Sequence, residues 1–256
     1  MITIYQQLTD VQKKRGAGYL VLMDPDERSR EDLVSLAKVC DTSGVDGILI
    51  GGSILFSVQL DELVKAIKEV VSIPIILFPG NGRQLSKYAD GVLFLSLISG
   101  RNPNYLIGEQ VLSAPIVRAL GLEPISTGYI LVESGKTTTV EFMSNTKPLP
   151  REKPEIAVAH ALAAEYLGMK FVYLEGGSGA EWTVPDEMIQ SVRKAISIPI
   201  IVGGGIRTPE MALSKVKAGA SFIVTGNIFE KEYSPTLIQS FAQAIHYKDK
   251  GDVKST

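Results

Sequence analysis

Two short glycine turns carry the densest chemical signal in the chain. The apolar run 198–202 (IPIIV) stops at Gly203, Gly204 and Gly205, and the run 221–225 (SFIVT) stops at Gly226 and Asn227. Turns without bulky side chains let backbone N–H groups close on a phosphate, and a helix start adds favourable partial charge. Thr208 and Pro209 supply such a start between the two runs, as N-cap and first-turn residue. The plainer alternative is that the glycines only make tight turns.

Carboxylates and hydroxyls follow other apolar runs. Residues 19–23 (YLVLM) lead into Asp24, Pro25 and Asp26, and 46–50 (DGILI) lead into Gly51, Gly52 and Ser53. One carboxylate and a hydroxyl from the next strand make a hard oxygen site, and Mg²⁺ takes few protein ligands when phosphate oxygens complete its shell. Asp24-Pro25-Asp26 also reads as a plain Asx-capped turn. Glu175 ends the run 171–175 inside YLEGGSG (173–179). Apolar walls there would raise its pKa and suit a general base; pairing with Arg207 is the structural alternative. Ser178 and the glycines around it could hold a polyol or part of a phosphate. His160 and His246 lie on helical patterns away from strand ends and read as packing residues. No P-loop, GxSxG, His-rich metal pattern or strand-following GxGxxG is present.

These residues need a scaffold that brings strand ends together. Continuous apolar runs, suited to strands buried on both faces, fall at 19–23, 46–50, 73–78, 91–95, 125–132, 171–175, 198–202 and 221–225. Helical patterns at 31–44, 60–71, 102–120, 154–168, 184–196, 208–219 and 235–250 separate them, the 102–120 helix bent near Pro115. The stretch 83–90 is too short for a barrel helix. Eight strands alternating with helices predict a single α/β domain over 1–256. The fold expected is a (β/α)8 TIM barrel with a degenerate or missing third helix and a frayed tail from about residue 248. Working residues then sit at C-terminal strand ends, with phosphate after strands seven and eight. Residues 133–152, rich in Thr, Ser, Lys and Pro, are a long excursion within that domain.

An internal echo supports the strand register. Residues 47–76 align without gaps to 172–201, identical at 11 of 30 positions including GGS and SIPII. The offset of 125 residues maps strand two onto six and three onto seven, as related half-barrels would.

Composition narrows the partners. A net charge of −2 leaves no basic footprint for nucleic acid. No run approaches the ~20 apolar residues of a membrane span, and the first 16 residues lack an apolar signal core. The lone Cys40 falls in a helical pattern and reads as a small core residue in a reducing compartment. The cytoplasm is the expected location.

LMDPDE (22–27), GILIGGS (47–53), FPGN (78–81), YLEGGSG (173–179), IVGGGIR (201–207) and VTGN (224–227) together resemble the geranylgeranylglyceryl phosphate synthase family, from about residue 5 to 245. The resemblance implies an Mg²⁺-dependent prenyltransferase of ether phospholipid biosynthesis. It would join the 3-hydroxyl of sn-glycerol 1-phosphate to a long prenyl diphosphate, geranylgeranyl diphosphate being the first expectation. By motif, Asp24 and Ser53 would hold Mg²⁺ and the diphosphate. Tyr173, Leu174, Glu175, Gly176, Gly177, Ser178 and Gly179 would hold glycerol phosphate, with Glu175 as base. Gly204, Gly205, Gly226 and Asn227 would take its phosphate. Leu22 stands where one branch has Lys. With the 133–152 excursion, this resembles the larger archaeal-like branch, related to heptaprenylglyceryl phosphate synthase. The resemblance further implies a homo-oligomer, a dimer or a hexamer, and leaves room for transient membrane contact to exchange lipid. Tyr88, Leu97, Ile98, Tyr105 and Ile107, around the missing helix, are candidate walls for the prenyl tail. Another phosphate-binding barrel, such as a sugar-phosphate isomerase or epimerase, is the alternative enzyme. Strand five ends without an obvious catalytic partner for that chemistry. A non-catalytic phospholigand binder is the alternative outside enzymes.

Overall fold

A computed structural model describes residues 2–56, 59–229 and 233–250. Eight parallel strands close into one barrel in chain order: β1 Gly18–Met23, β2 Gly47–Ile50, β3 Ile75–Leu77, β4 Gly91–Leu97, β5 Glu123–Leu131, β6 Phe171–Glu175, β7 Ile200–Gly203 and β8 Phe222–Thr225. The helices are α1 Ile4–Arg15, α2 Arg30–Thr42, α3 Leu60–Lys68, α4 Glu109–Leu120, α5 Thr139–Ser144, α6 Pro154–Tyr166, α7 Asp186–Ala195, α8 Pro209–Ala218 and α9 Pro235–Ile245. The TIM barrel is as expected, and no helix joins β3 to β4. The tail from 251 lies outside the described residues.

Strand alternation sorts side chains into two cores. Leu20, Leu49, Ile76, Leu93, Ile125, Phe171, Ile201 and Phe222 fill the barrel interior. Val21, Ile48, Ile50, Ile75, Val172, Leu174 and Val202 turn outward against the helices. Both faces are apolar, so the strands read as unbroken hydrophobic runs.

Several features depart from the sequence reading, among them the last helix, which ends at Ile245 rather than residue 250. The N-terminal stretch forms α1, started by a capping box between Thr3 and Gln6. Its Leu8 enters the interior cluster and its Tyr5 ring packs on Phe171 at 5.2 Å, so α1 plugs the barrel's N-terminal end. Helix α3 stops at Lys68 rather than residue 71. The 102–120 helix opens with a π-helical turn, Asn104–Gly108, before α4 begins. The 133–152 excursion carries α5 and a bridge between Val132 and Leu149.

His246 is a packing residue, as expected, but with a defined role. Buried Asp46, directly before β2, accepts from Tyr19 N at 2.8 Å, from Arg15 at 3.1 Å and contacts His246 Nε2 at 2.7 Å. This network ties α1, β1 and the segment after α9 together at the end opposite the strand C-termini. Asp46→Ala would strand a buried amide and a guanidinium. It is expected to cost about 3 kcal/mol in urea or thermal unfolding while ligand binding at the opposite rim is unchanged.

Candidate active site

The C-terminal rim of the barrel encloses a cleft of about 630 Å³. It takes in Asp24 and Ser53 from the turns after β1 and β2, with Tyr173, Glu175, Ser178 and Gly179 from β6 and its turn. Gly204 and Gly205 after β7, and Gly226 and Asn227 after β8, complete it. Leu174 does not join them. It is the outward residue between Tyr173 and Glu175 and packs fully buried against the helix layer. Gly176 and Gly177 are not among its walls; their N–H groups donate to the Gly203 carbonyl and to Glu175 Oε1.

Glu175 is the best-positioned titratable group. It is 5 % exposed, accepts from Gly177 N at 2.5 Å, and receives hydrogen bonds from the Tyr173 and Tyr129 hydroxyls. Burial pushes its pKa up to about 7, the three hydrogen bonds opposing only part of that shift. Burial likewise raises both tyrosines well above the ordinary phenol range, so they remain donors. Arg207 does not pair with Glu175; its guanidinium donates to the carbonyls of Ala180 at 2.6 Å and Glu181 at 3.4 Å. Tyr129 was not legible in the sequence: it lies inside β5, two residues before the strand's end, and faces the mouth.

The turns after β6 and β8 meet through Asn227. Asn227 Oδ1 accepts from Gly179 N at 3.0 Å and Ser178 Oγ at 3.1 Å, joining the β6 and β8 turns. A Cβ on Gly204 would sit 2.5 Å from Glu175 Oε1 and 2.7 and 2.9 Å from the amide nitrogens of Gly177 and Gly176. With φ of +83°, this position needs glycine on both counts.

Asp24 makes the turn that one of its two sequence readings expected. Its Oδ1 accepts from Asp26 N at 3.0 Å, an Asx turn. Its Oδ2 faces Gly52, where a Cβ would come within 2.5 Å. Among the described residues no group of three or more His, Cys, Asp or Glu side chains could hold a metal. A cation here would draw on Asp24, Ser53 and ligand oxygens, which is how Mg²⁺ is commonly held; the residues fit it.

A second, apolar groove runs down the barrel's flank where the β3–β4 helix is absent. Leu85, Val92, Phe94, Leu97, Tyr105 and Val117 are among its walls. Of the walls expected from sequence, Leu97 and Tyr105 line it. Tyr88 packs against the core beneath Lys65 and Lys87, Ile98 packs against the outer core, and Ile107 is exposed. Cleft and groove meet at Gly52, Ser53, Phe78, Tyr129 and Val140, which border both. Phe78 stacks on Tyr173 at 5.4 Å and tilts against Tyr129 at 6.0 Å there.

Residues 9–245 match the family model described as the PcrB family. The chain belongs to the PcrB family. It is 49% identical to the geranylgeranylglyceryl phosphate synthase of Chitinophaga pinensis over 243 residues, 95% of this chain and 96% of the relative. The Pyrococcus furiosus protein of the same name is 50% identical over 221 residues, 86% of each chain. A crystal structure of the Thermoplasma acidophilum (S)-3-O-geranylgeranylglyceryl phosphate synthase, in complex with its substrate sn-glycerol-1-phosphate, superposes with a TM-score of 0.90. Its identity is 32%, over 96% of this chain and all of that one.

Proposed function

We propose that the protein is a prenyltransferase that joins sn-glycerol 1-phosphate to a long prenyl diphosphate in ether phospholipid synthesis, geranylgeranyl diphosphate being the first choice. The observation that carries this reading is the junction: a polar, glycine-lined cleft opens at Ser53 and Tyr129 into an apolar groove. An isomerase or epimerase of a small sugar phosphate has no use for that groove.

Each half takes one substrate. The glycerol phosphate lies in the cleft, its phosphate against the turns at Gly204–Gly205 and Gly226–Asn227. The prenyl tail lies in the groove, with its diphosphate at Asp24 and Ser53, which would hold Mg²⁺. When bound, that ion neutralises charge on the leaving diphosphate. The bond from C1 to the diphosphate oxygen breaks, and the 3-hydroxyl oxygen forms the ether bond to C1. Glu175, ionised, takes the hydroxyl proton. Phe78, Tyr129 and Tyr173 present aromatic surface at the junction, which favours the positive charge growing on the allylic carbon. Fixing two substrates across one junction supplies much of the rate.

The homo-oligomer, dimer or hexamer, belongs to this reading, and so does the cytoplasmic location. Val111, Leu112 and Ile116 leave an apolar face of α4 exposed that a second subunit would cover. Among the described residues no helix is long and apolar enough to cross a membrane, so prenyl lipid would be exchanged by transient contact.

A product assay tests the reaction. With Mg²⁺ and prenyl diphosphates of graded length, an ether product is expected from sn-glycerol 1-phosphate and not from the 3-phosphate. Glycerol phosphate binding without product at any chain length would reduce the protein to a phospholigand binder.

A further inference from the structure

The cleft as described is poorly matched to the charge it would hold. Among the described residues its walls carry the carboxylates of Asp24, Asp26, Glu27 and Glu175 against one guanidinium, that of Arg207, which is engaged with two carbonyls. Two phosphorylated anions meeting there call for more positive charge than one divalent ion.

The segment after β5 supplies it. Ser134 and Thr138 are both buried at the rim. The Ser134 carbonyl accepts from Glu181 N and Trp182 N, each at 3.1 Å, which fastens the segment to the β6 turn. The Thr138 side chain covers Gly177, where a Cβ would meet it at 2.5 to 2.9 Å. Lys136 is midway between these two anchors, with Gly135 beside it at φ of +92° turning the chain. Its ammonium reaches to 3.5 Å from the place a Cβ on Gly179 would occupy. Gly179 is also the residue whose amide and neighbouring Ser178 hydroxyl bind Asn227. No ion pair or hydrogen bond engages the Lys136 ammonium among the described residues.

The geometry points to Lys136 as a phosphate-positioning residue, placed by the post-β5 segment over the Ser178–Gly179 side of the cleft. It deepens the reading above and rests on it for the identity of the substrate. Lys136 carries no proton in the reaction. It adds a cation on the solvent side of the phosphate, opposite the backbone amides of the glycine turns, and acts on substrate binding alone. Because the side chain is exposed, its contribution is moderate and screened by salt.

Lys136→Met and Lys136→Arg decide the matter, measured at low and high ionic strength. For Lys136→Met, KM for sn-glycerol 1-phosphate is expected to rise about fivefold to tenfold at low salt. The difference should shrink at high salt, with kcat and melting temperature unchanged; Lys136→Arg should restore KM to within about twofold. The KM for prenyl diphosphate should not move. An unchanged glycerol phosphate KM at low salt, or a loss confined to kcat, overturns the proposal. Calorimetric binding of inorganic phosphate gives an arm independent of the reaction: Lys136→Met should weaken it, and equal affinity overturns the assignment. If wild type makes no ether product yet this phosphate difference appears, the substrate reading fails and the assignment of Lys136 stands.

Discussion

Glu175→Gln is expected to lose turnover by about a thousandfold while becoming more stable than wild type at pH 8. A positioned general base contributes roughly 10²–10⁴-fold, and Gln keeps the shape and the acceptor oxygen for Gly177 and the two tyrosines without accepting a proton. Glycerol phosphate affinity should change little, because the proposed phosphate site is at the glycine turns rather than at this carboxylate. The same residue controls pH dependence. Burial holds its pKa near 7 instead of the ordinary 4.5, so the folded protein keeps a proton that the unfolded chain has released across that interval. Stability contributed by the protonated form is fully present below about pH 4.5 and is lost as pH rises to 7. With about 1.4 kcal/mol per pH unit, the wild type ends about 3 kcal/mol less stable above pH 7. Gln has no such loss. The variant's melting temperature should exceed the wild type's by several degrees at pH 8 and converge with it near pH 4.5. Wild-type kcat/KM should climb with pH to a plateau above about 7. Full activity in the variant would remove Glu175 from the chemistry. Equal melting temperatures at pH 8 would show that the carboxylate is not held in the low-dielectric site described.

The eight strands were legible because a parallel barrel buries both strand faces, leaving runs such as FVYLE and GYIL without a polar break. The same property hides which residues face inward. Leu174 reads as part of a functional motif, yet parity turns it into the helix layer while Tyr173 and Glu175 face the mouth. Tyr129 is the converse case. It lies within an apolar run, and only its register opposite Tyr173 of β6 brings its hydroxyl to Glu175. The T-x-x-Q capping box of α1 was present in the sequence, but α1 is polar on most of its surface and buries chiefly Leu8. The missing β3–β4 helix was readable from the shortness of 83–90. The groove that its absence creates was not, because its walls come from β4, α4 and α5, far apart in the chain.

Gly204→Ala should damage the site severely, and the reason is local geometry rather than charge. Alanine at φ of +83° costs about 1–2 kcal/mol in backbone strain alone. The added carbon must also displace Glu175 Oε1 and the amides of Gly176 and Gly177, all nearer than 3 Å. A carboxylate can turn away; two amides of a turn held at Gly176 by a hydrogen bond from its N–H to the Gly203 carbonyl cannot move independently. The β6 and β7 turns are therefore forced apart where they would close on the phosphate and aim the base. Glycerol phosphate affinity is expected to fall at least about a hundredfold and stability by about 3 kcal/mol. Gly205→Ala is the matched control. It too has positive φ, at +73°, but its Cβ would first meet Ala180 atoms at 3.3 Å, so it should share the backbone strain and lose far less affinity. Calorimetric titration of both variants with sn-glycerol 1-phosphate separates the two effects. If the losses are equal, backbone strain alone accounts for them. The close packing of Gly204 against Glu175 then has no special part in binding. A deficit confined to Gly204→Ala means that this one contact sets the spacing between phosphate and base.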